Sequence, residues 1–283
     1  MNTRLVCPND AALIGRLARR ALCVRVTAPQ DIAAAAALAR RHNSLVCVIC
    51  ETASLEDIEV SGDWQGIPIA LAVARTGPFR RLAAKLKGLR ALNLRVYLPC
   101  TTDALVGARL LASVGVPVCV TLDPAAAMDW EALADLMTYA LLNIARHAPI
   151  EPFQTMADGW RPAERGEDWG RALFDDPERY LHVAASGAVA LSARELAAGE
   201  FVGDVCELDS PRLKQRVDER KERWRELFLE NHFCARCPSW RLCRGRFSAG
   251  KTEPDGCAEF FGEAAEIIER ARAKSARSPT WQA

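Results

Sequence analysis

A chain of 283 residues, half of them apolar, is long enough for one large domain or two ordinary ones and can bury a sizeable core, which excludes wholesale disorder. Its formal net charge of +1 gives no electrostatic case for nucleic acid or an anionic membrane as the main partner. No apolar run approaches the length of a membrane span, and the N-terminus lacks the basic start and apolar stretch of a secretory signal, so a cytoplasmic protein is expected.

Residues 1–150 read as alternating strands and helices. Short apolar runs rich in β-branched residues recur at 22–27, 45–49, 67–73, 94–98 and 116–122. Helix-forming stretches separate them at 31–41, 78–89, 102–114 and 129–146. Runs that are apolar on both faces suit parallel strands covered by helices, so the expected class is α/β, with an open parallel sheet or part of a (β/α) barrel. Asp129 is a good N-cap for the last of these helices. Prolines and glycines crowd 148–176, which reads as an irregular connection, and the domain boundary is placed there: 1–150 and 151–283. Beyond it, Ser186-Gly187 is a hairpin turn between strands at 180–183 and 188–191. Ser210-Pro211 opens a helix to about residue 230, with Leu213, Val217, Trp224 and Phe228 on one face. A last helix carries Phe260, Phe261, Ala264, Ile267, Ile268 and Ala271.

Eleven cysteines in a chain of this size do not read as a disulfide scaffold. Cys23, Cys47, Cys50, Cys100 and Cys119 fall inside apolar runs and read as small core side chains. Cys234, Cys237, Cys243 and Cys257 fall in a polar segment, with the pattern C-x2-C-x5-C-x13-C. Four thiolates so spaced suit tetrahedral zinc or a single [4Fe–4S] cluster, and the x5 interval departs from the paired knuckles of zinc ribbons. Arg236, Arg241, Arg244 and Arg246 are placed to offset cluster charge, and Phe233, Trp240, Phe247 and Phe260 to exclude water.

This segment resembles the SPASM domain of radical SAM peptide-maturation enzymes. Upstream, Asp176-Pro-Glu-Arg-Tyr180, Ser186-Gly187 and Phe201-Val-Gly203 resemble that family's short hairpin and its sequel. Residues 94–122 and the helix at 129–139 are similar to late elements of a radical SAM partial barrel. The resemblance implies a radical-SAM-like α/β part followed by a SPASM-like iron–sulfur part. The catalytic C-x3-C-x2-C is missing: the strand at 22–27 is followed by Ala-Pro-Gln-Asp, and no C-x3-C occurs anywhere. Cys47-Val-Ile-Cys50 lies within a strand, which cannot aim both thiols as a loop would. Of the family's second auxiliary cluster, only Cys206 remains, with Leu191-Ser192 and Phe247 at the other positions. The implied protein binds no SAM for radical chemistry of its own, and whether it is an enzyme of another kind stays open. It serves as an accessory subunit whose partners are a radical SAM maturase, a precursor peptide or both. A stand-alone iron–sulfur electron carrier and a zinc-stabilised binding module are the alternatives.

Other residues carry less. Asp175, Asp176 and Glu178 read as a solvated turn rather than an acid–base pair. His42, His147 and His182 are scattered, and His232 beside the cysteines is a possible replacement ligand. Arg80, Arg81, Lys85, Lys87 and Arg90 read as a solvated basic face. Asp123 and Glu151 stand at element ends where α/β folds place ligands, or are caps.

Overall fold

The computed structural model describes residues 3–124, 126–161, 168–222, 224–247 and 256–277. Among these, ten strands form one sheet: β1 (Arg4–Pro8), β2 (Ala21–Val26), β3 (Ser44–Ser54), β4 (Ile69–Arg75), β5 (Leu94–Pro99), β6 (Val118–Thr121), β7 (Ile150–Glu151), β8 (Tyr180–Val183), β9 (Ala188–Ala190) and β10 (Gly203–Asp204). Their order is β10-β9-β8-β1-β2-β3-β4-β5-β6-β7. Pairing is parallel from β8 through to β7, and antiparallel only at β8–β9 and β9–β10. The molecule is thus mixed α/β with a largely parallel sheet, and no helix among the described residues is long and apolar enough to cross a membrane.

From β1 to β7 each connection steps one place in the same direction. Right-handed crossovers then set the intervening helices against one face. Alternate strand residues point to that face (Leu22, Val24, Val48, Leu71, Val96 and Val118) and pack on Ala35, Ala36, Leu105, Ala108, Leu133 and Met137. The same core continues to Phe261 and Ile268 of the last helix, Cys257–Arg277. The pleat sends the intervening residues to the opposite face, where Val6, Cys23, Cys47, Ile49, Ala70, Tyr97, Cys119 and Tyr180 form a second cluster capped by Ala172.

Several expectations are met and several corrected. Cys47 and Cys50 point to opposite faces of β3, and both are buried. Asp129 caps the helix Trp130–Leu142, accepting from the Ala132 N–H at 3.0 Å. That helix ends at Leu142 rather than near 146, because Asn143 is extended. The basic helix expected over 78–89 is two short ones, Phe79–Leu82 and Leu86–Ala91. Lys85 sits in the break and donates to the carbonyls of Glu56 and Ile58, so it is a tie across the fold rather than part of a solvated face. β1 has no counterpart in the sequence reading: Leu5, Val6 and Cys7 make a run too short to stand out before Pro8.

The stretch 148–176 is more ordered than its prolines suggest. It contains β7, a helix at Phe153–Gly159 and a turn at Trp169–Leu173, with Phe153, Met156 and Trp169 buried; Pro162 and Gly166 lie outside the described residues. The 180–190 hairpin forms as expected, and β8 pairs with β1, so the chain beyond residue 151 extends the same sheet. Ser210 caps the helix Pro211–Glu222, its hydroxyl accepting from the Leu213 N–H at 3.2 Å. Leu213 and Val217 face the core, whereas Phe228 of the next helix, Trp224–Leu229, is 44% exposed; the Trp224 side chain lies outside the described residues.

Candidate metal centre

Three elements carry the four cysteines to the rim of one cavity. Cys234 lies in a turn at Phe233–Arg236, and Cys237 follows directly at its end. Cys243 closes the one-turn helix Trp240–Cys243, and Cys257 opens the last helix. His232 is not needed as a ligand for this geometry, because its Nδ1 accepts from the Cys234 N–H at 3.3 Å and fixes the turn.

Cys234, Cys237, Cys243 and Cys257 line one cavity of about 240 Å³, mouth included, together with Phe233, Trp240, Gly245 and Ala258. Cys234, Cys243 and Cys257 are buried and Cys237 is half-buried. The Cys243 thiol is held well above its ordinary range, first by its hydrogen bond with Cys257 and then by burial. The backbone N–H groups of Phe247 and Gly245 donate to the Cys243 sulfur and act in the opposite direction. They can do so because Arg244 and Gly245 both take positive φ, 55° and 70°, curling the chain back over the sulfur. A Cβ on Gly245 would stand 2.7 Å from Trp240 Cζ3, so this close return requires glycine.

Comparisons with protein-family models, with curated proteins and with solved structures find no match.

In donor chemistry the four thiols fit an iron–sulfur cluster or zinc: sulfur ligands on one cavity, aromatic shielding, and N–H donors on one sulfur. Among the described residues, no group of three or more His, Cys, Asp and Glu side chains is gathered tightly enough to hold one metal ion.

The arginines do something other than the sequence reading expected. Arg246 is half-buried and donates to Asp175 Oδ2 at 2.7 Å and Asp168 Oδ1 at 2.8 Å, with its guanidinium 4.7 Å from the Trp169 ring centroid. Arg244 also reaches Asp168, at 3.5 Å, and Arg236 donates to Asn231 at 2.7 Å. These guanidiniums are engaged by protein carboxylates and an amide; Arg241 remains exposed. Of the aromatics, Phe233 and Trp240 line the cavity, while Phe247 and Phe260 cluster with Trp130 and Phe261.

The remaining candidates separate. Cys206 is exposed, well apart in sequence from the cavity-lining set. Asp175 joins the Arg246 pair, and Asp176 is buried, its carboxyl raised by burial and then by Asp168. Glu151 is nearly buried and lies 3.9 Å from Arg95, whereas Asp123 is exposed. His182 is buried on the sheet face opposite the helices. The core thiols are raised as burial demands: Cys7 to about 12, and Cys50 and Cys100 to about 11.

Proposed function

We propose that the chain is a SPASM-like iron–sulfur protein: a radical-SAM-like α/β part over 1–150 and a cysteine-rich part over 151–283 holding one [4Fe–4S] cluster. The single observation that carries this reading is the convergence of Cys234, Cys237, Cys243 and Cys257 on one aromatic-shielded cavity. A bound cluster would supply electron transfer or structural cross-linking. The chain's own residues supply the rest: four thiols as ligands, N–H groups of Gly245 and Phe247 on the Cys243 sulfur, and Phe233 and Trp240 against water.

The stepwise strand order from β1 to β7 supports reading the sheet as a partial (β/α) barrel, since such a sheet curls toward closure. With no C-x3-C-x2-C in the sequence, the protein acts as an accessory subunit to a radical SAM maturase or its precursor peptide, and it initiates no radical SAM chemistry itself. A single zinc ion in a binding module is the second reading, favoured by four thiols lining one cavity, a donor set that also suits a tetrahedral ion.

Iron, sulfide and zinc analysis of anaerobically purified protein, with an absorption spectrum, separates the two. About four irons and four sulfides per chain, lost in Cys234→Ala, is the expected result. One zinc and no visible absorbance would replace the cluster with a structural ion. Reductive cleavage of SAM by the chain alone would overturn the accessory role.

A further inference from the structure

The turn that carries Cys243 is tied to a distant segment, 168–175, by contacts that the cysteine site does not itself require. The Trp169 indole N–H donates to the Leu242 carbonyl at 2.8 Å, one residue before Cys243. Three residues after it, Arg246 bridges Asp168 and Asp175, the two ends of the segment, and its Nη2 also lies 3.3 Å from the Asp175 carbonyl. The fit is close: a Cβ on Gly170 would stand 2.9 Å from the Asp175 carbonyl oxygen, which is backbone and cannot swing aside.

Between those ends the segment lies on the sheet face opposite the helices. Tyr97 donates its hydroxyl to the Ala172 carbonyl at 3.1 Å, and the Cys119 thiol lies 3.7 Å from the same oxygen. The Phe174 ring sits between Tyr97 and Tyr180, with centroids at 5.6 and 5.3 Å. Phe174 holds a left-handed backbone, φ 57°, which the His182 Nε2 contact to its carbonyl at 2.9 Å secures. The segment is a cover held at one side by sheet tyrosines and at the other by the half-buried Arg246 guanidinium.

We propose that Arg246 is a latch that couples occupancy of the cysteine site to this cover: metal held through Cys243 fixes the turn 243–247, the turn fixes Arg246, and Arg246 keeps 168–175 on the sheet. Loss of the metal frees the turn, releases both carboxylates and uncovers the face bearing Tyr97, Cys119 and Tyr180. The inference rests on the reading of the four cysteines as a metal centre. Its logic is linkage: a ligand that binds only the latched form stabilises every contact made only in that form, and local opening of the cover is disfavoured accordingly. Reciprocity follows, so weakening the latch weakens metal retention.

Hydrogen–deuterium exchange over peptides spanning 168–175 tests this on the full chain, reconstituted anaerobically with iron and sulfide or treated with a chelator. The reporting amides are Gly170, bonded to Asp168 Oδ1 at 2.8 Å, and Asp175, bonded to the Gly170 carbonyl at 3.0 Å. Both are expected to exchange about tenfold more slowly in the iron-loaded protein. Arg246→Lys keeps the charge but not the two-pronged geometry, and it is expected to bind iron while erasing that difference. Asp175→Asn, at a side chain 42% exposed, does the same with less risk to folding. Equal exchange in loaded and chelated wild type, with iron demonstrably bound, overturns the latch and leaves the metal centre standing. A full loading effect retained in both variants removes Arg246 as the link. A wild-type chain that takes up neither iron nor zinc sinks the metal reading itself, and the metal assay shows this before any exchange is measured.

Discussion

His182 is a buried imidazole whose neighbours set its protonation. Burial is the largest influence and lowers its pKa; the Phe174 carbonyl and Asp175 oppose that, and Arg25 reinforces it. Because Nε2 faces a carbonyl, it carries the proton of the neutral ring, and Nδ1 is a buried acceptor with no hydrogen-bond partner among the described residues. The folded pKa therefore lies below the unfolded value of about 6.5, so the unfolded chain takes up the proton first as pH falls. Stability from this residue is complete above about pH 6.5 and is lost below it, at no more than about 1.4 kcal/mol per pH unit. Urea titrations at several pH values between 5 and 8 are expected to show that slope in wild type and its loss in His182→Gln, which retains a donor for Phe174. Asp176 works with the opposite sign and lower down: its raised carboxyl pKa favours folding in acid, and that contribution fades as pH climbs through the carboxylate range.

At the scale of elements, the last helix joins core to site. Cys257 is its first residue, and Phe260, Phe261, Ala264 and Ile268 form the face buried against the helix Trp130–Leu142. Phe261 is fully buried and packs on Trp169, Phe247 and Phe260 at once. Phe261→Ala should cost about 3–5 kcal/mol in urea unfolding with an unchanged m value, because the surrounding rings cannot all close on the void. This helix and the cysteine turns were legible in the sequence, since their signals are local: a 3.6-residue apolar period and thiols a few residues apart. β1 was not, because three apolar residues carry no period. The Arg246 pairings were not legible either, because Asp168 and Asp175 lie more than seventy residues away and only the fold adds them together. The prolines of 148–176 misled for a physical reason: Pro149 precedes a strand and Pro152 a helix, positions where a missing N–H costs nothing.

For the whole molecule, the sheet and its helix-covered core run from Leu5 to Ile268 without interruption. The two sequence regions are therefore expected to melt as one cooperative unit. Calorimetry should give a single transition whose van't Hoff and calorimetric enthalpies agree; two separated transitions would mean that the β1–β8 seam is weak enough to part first.

That seam also governs when the molecule can be finished. Arg4 pairs with Tyr180, so β1 meets its second neighbour only after some 176 further residues have been added. At about 5–20 residues per second, β1 spends roughly 10–35 s with one row of backbone groups unsatisfied. Nascent chains stalled before residue 180 should consequently recruit holding chaperones at the Arg4–Pro8 edge, and chains stalled beyond the hairpin should shed them.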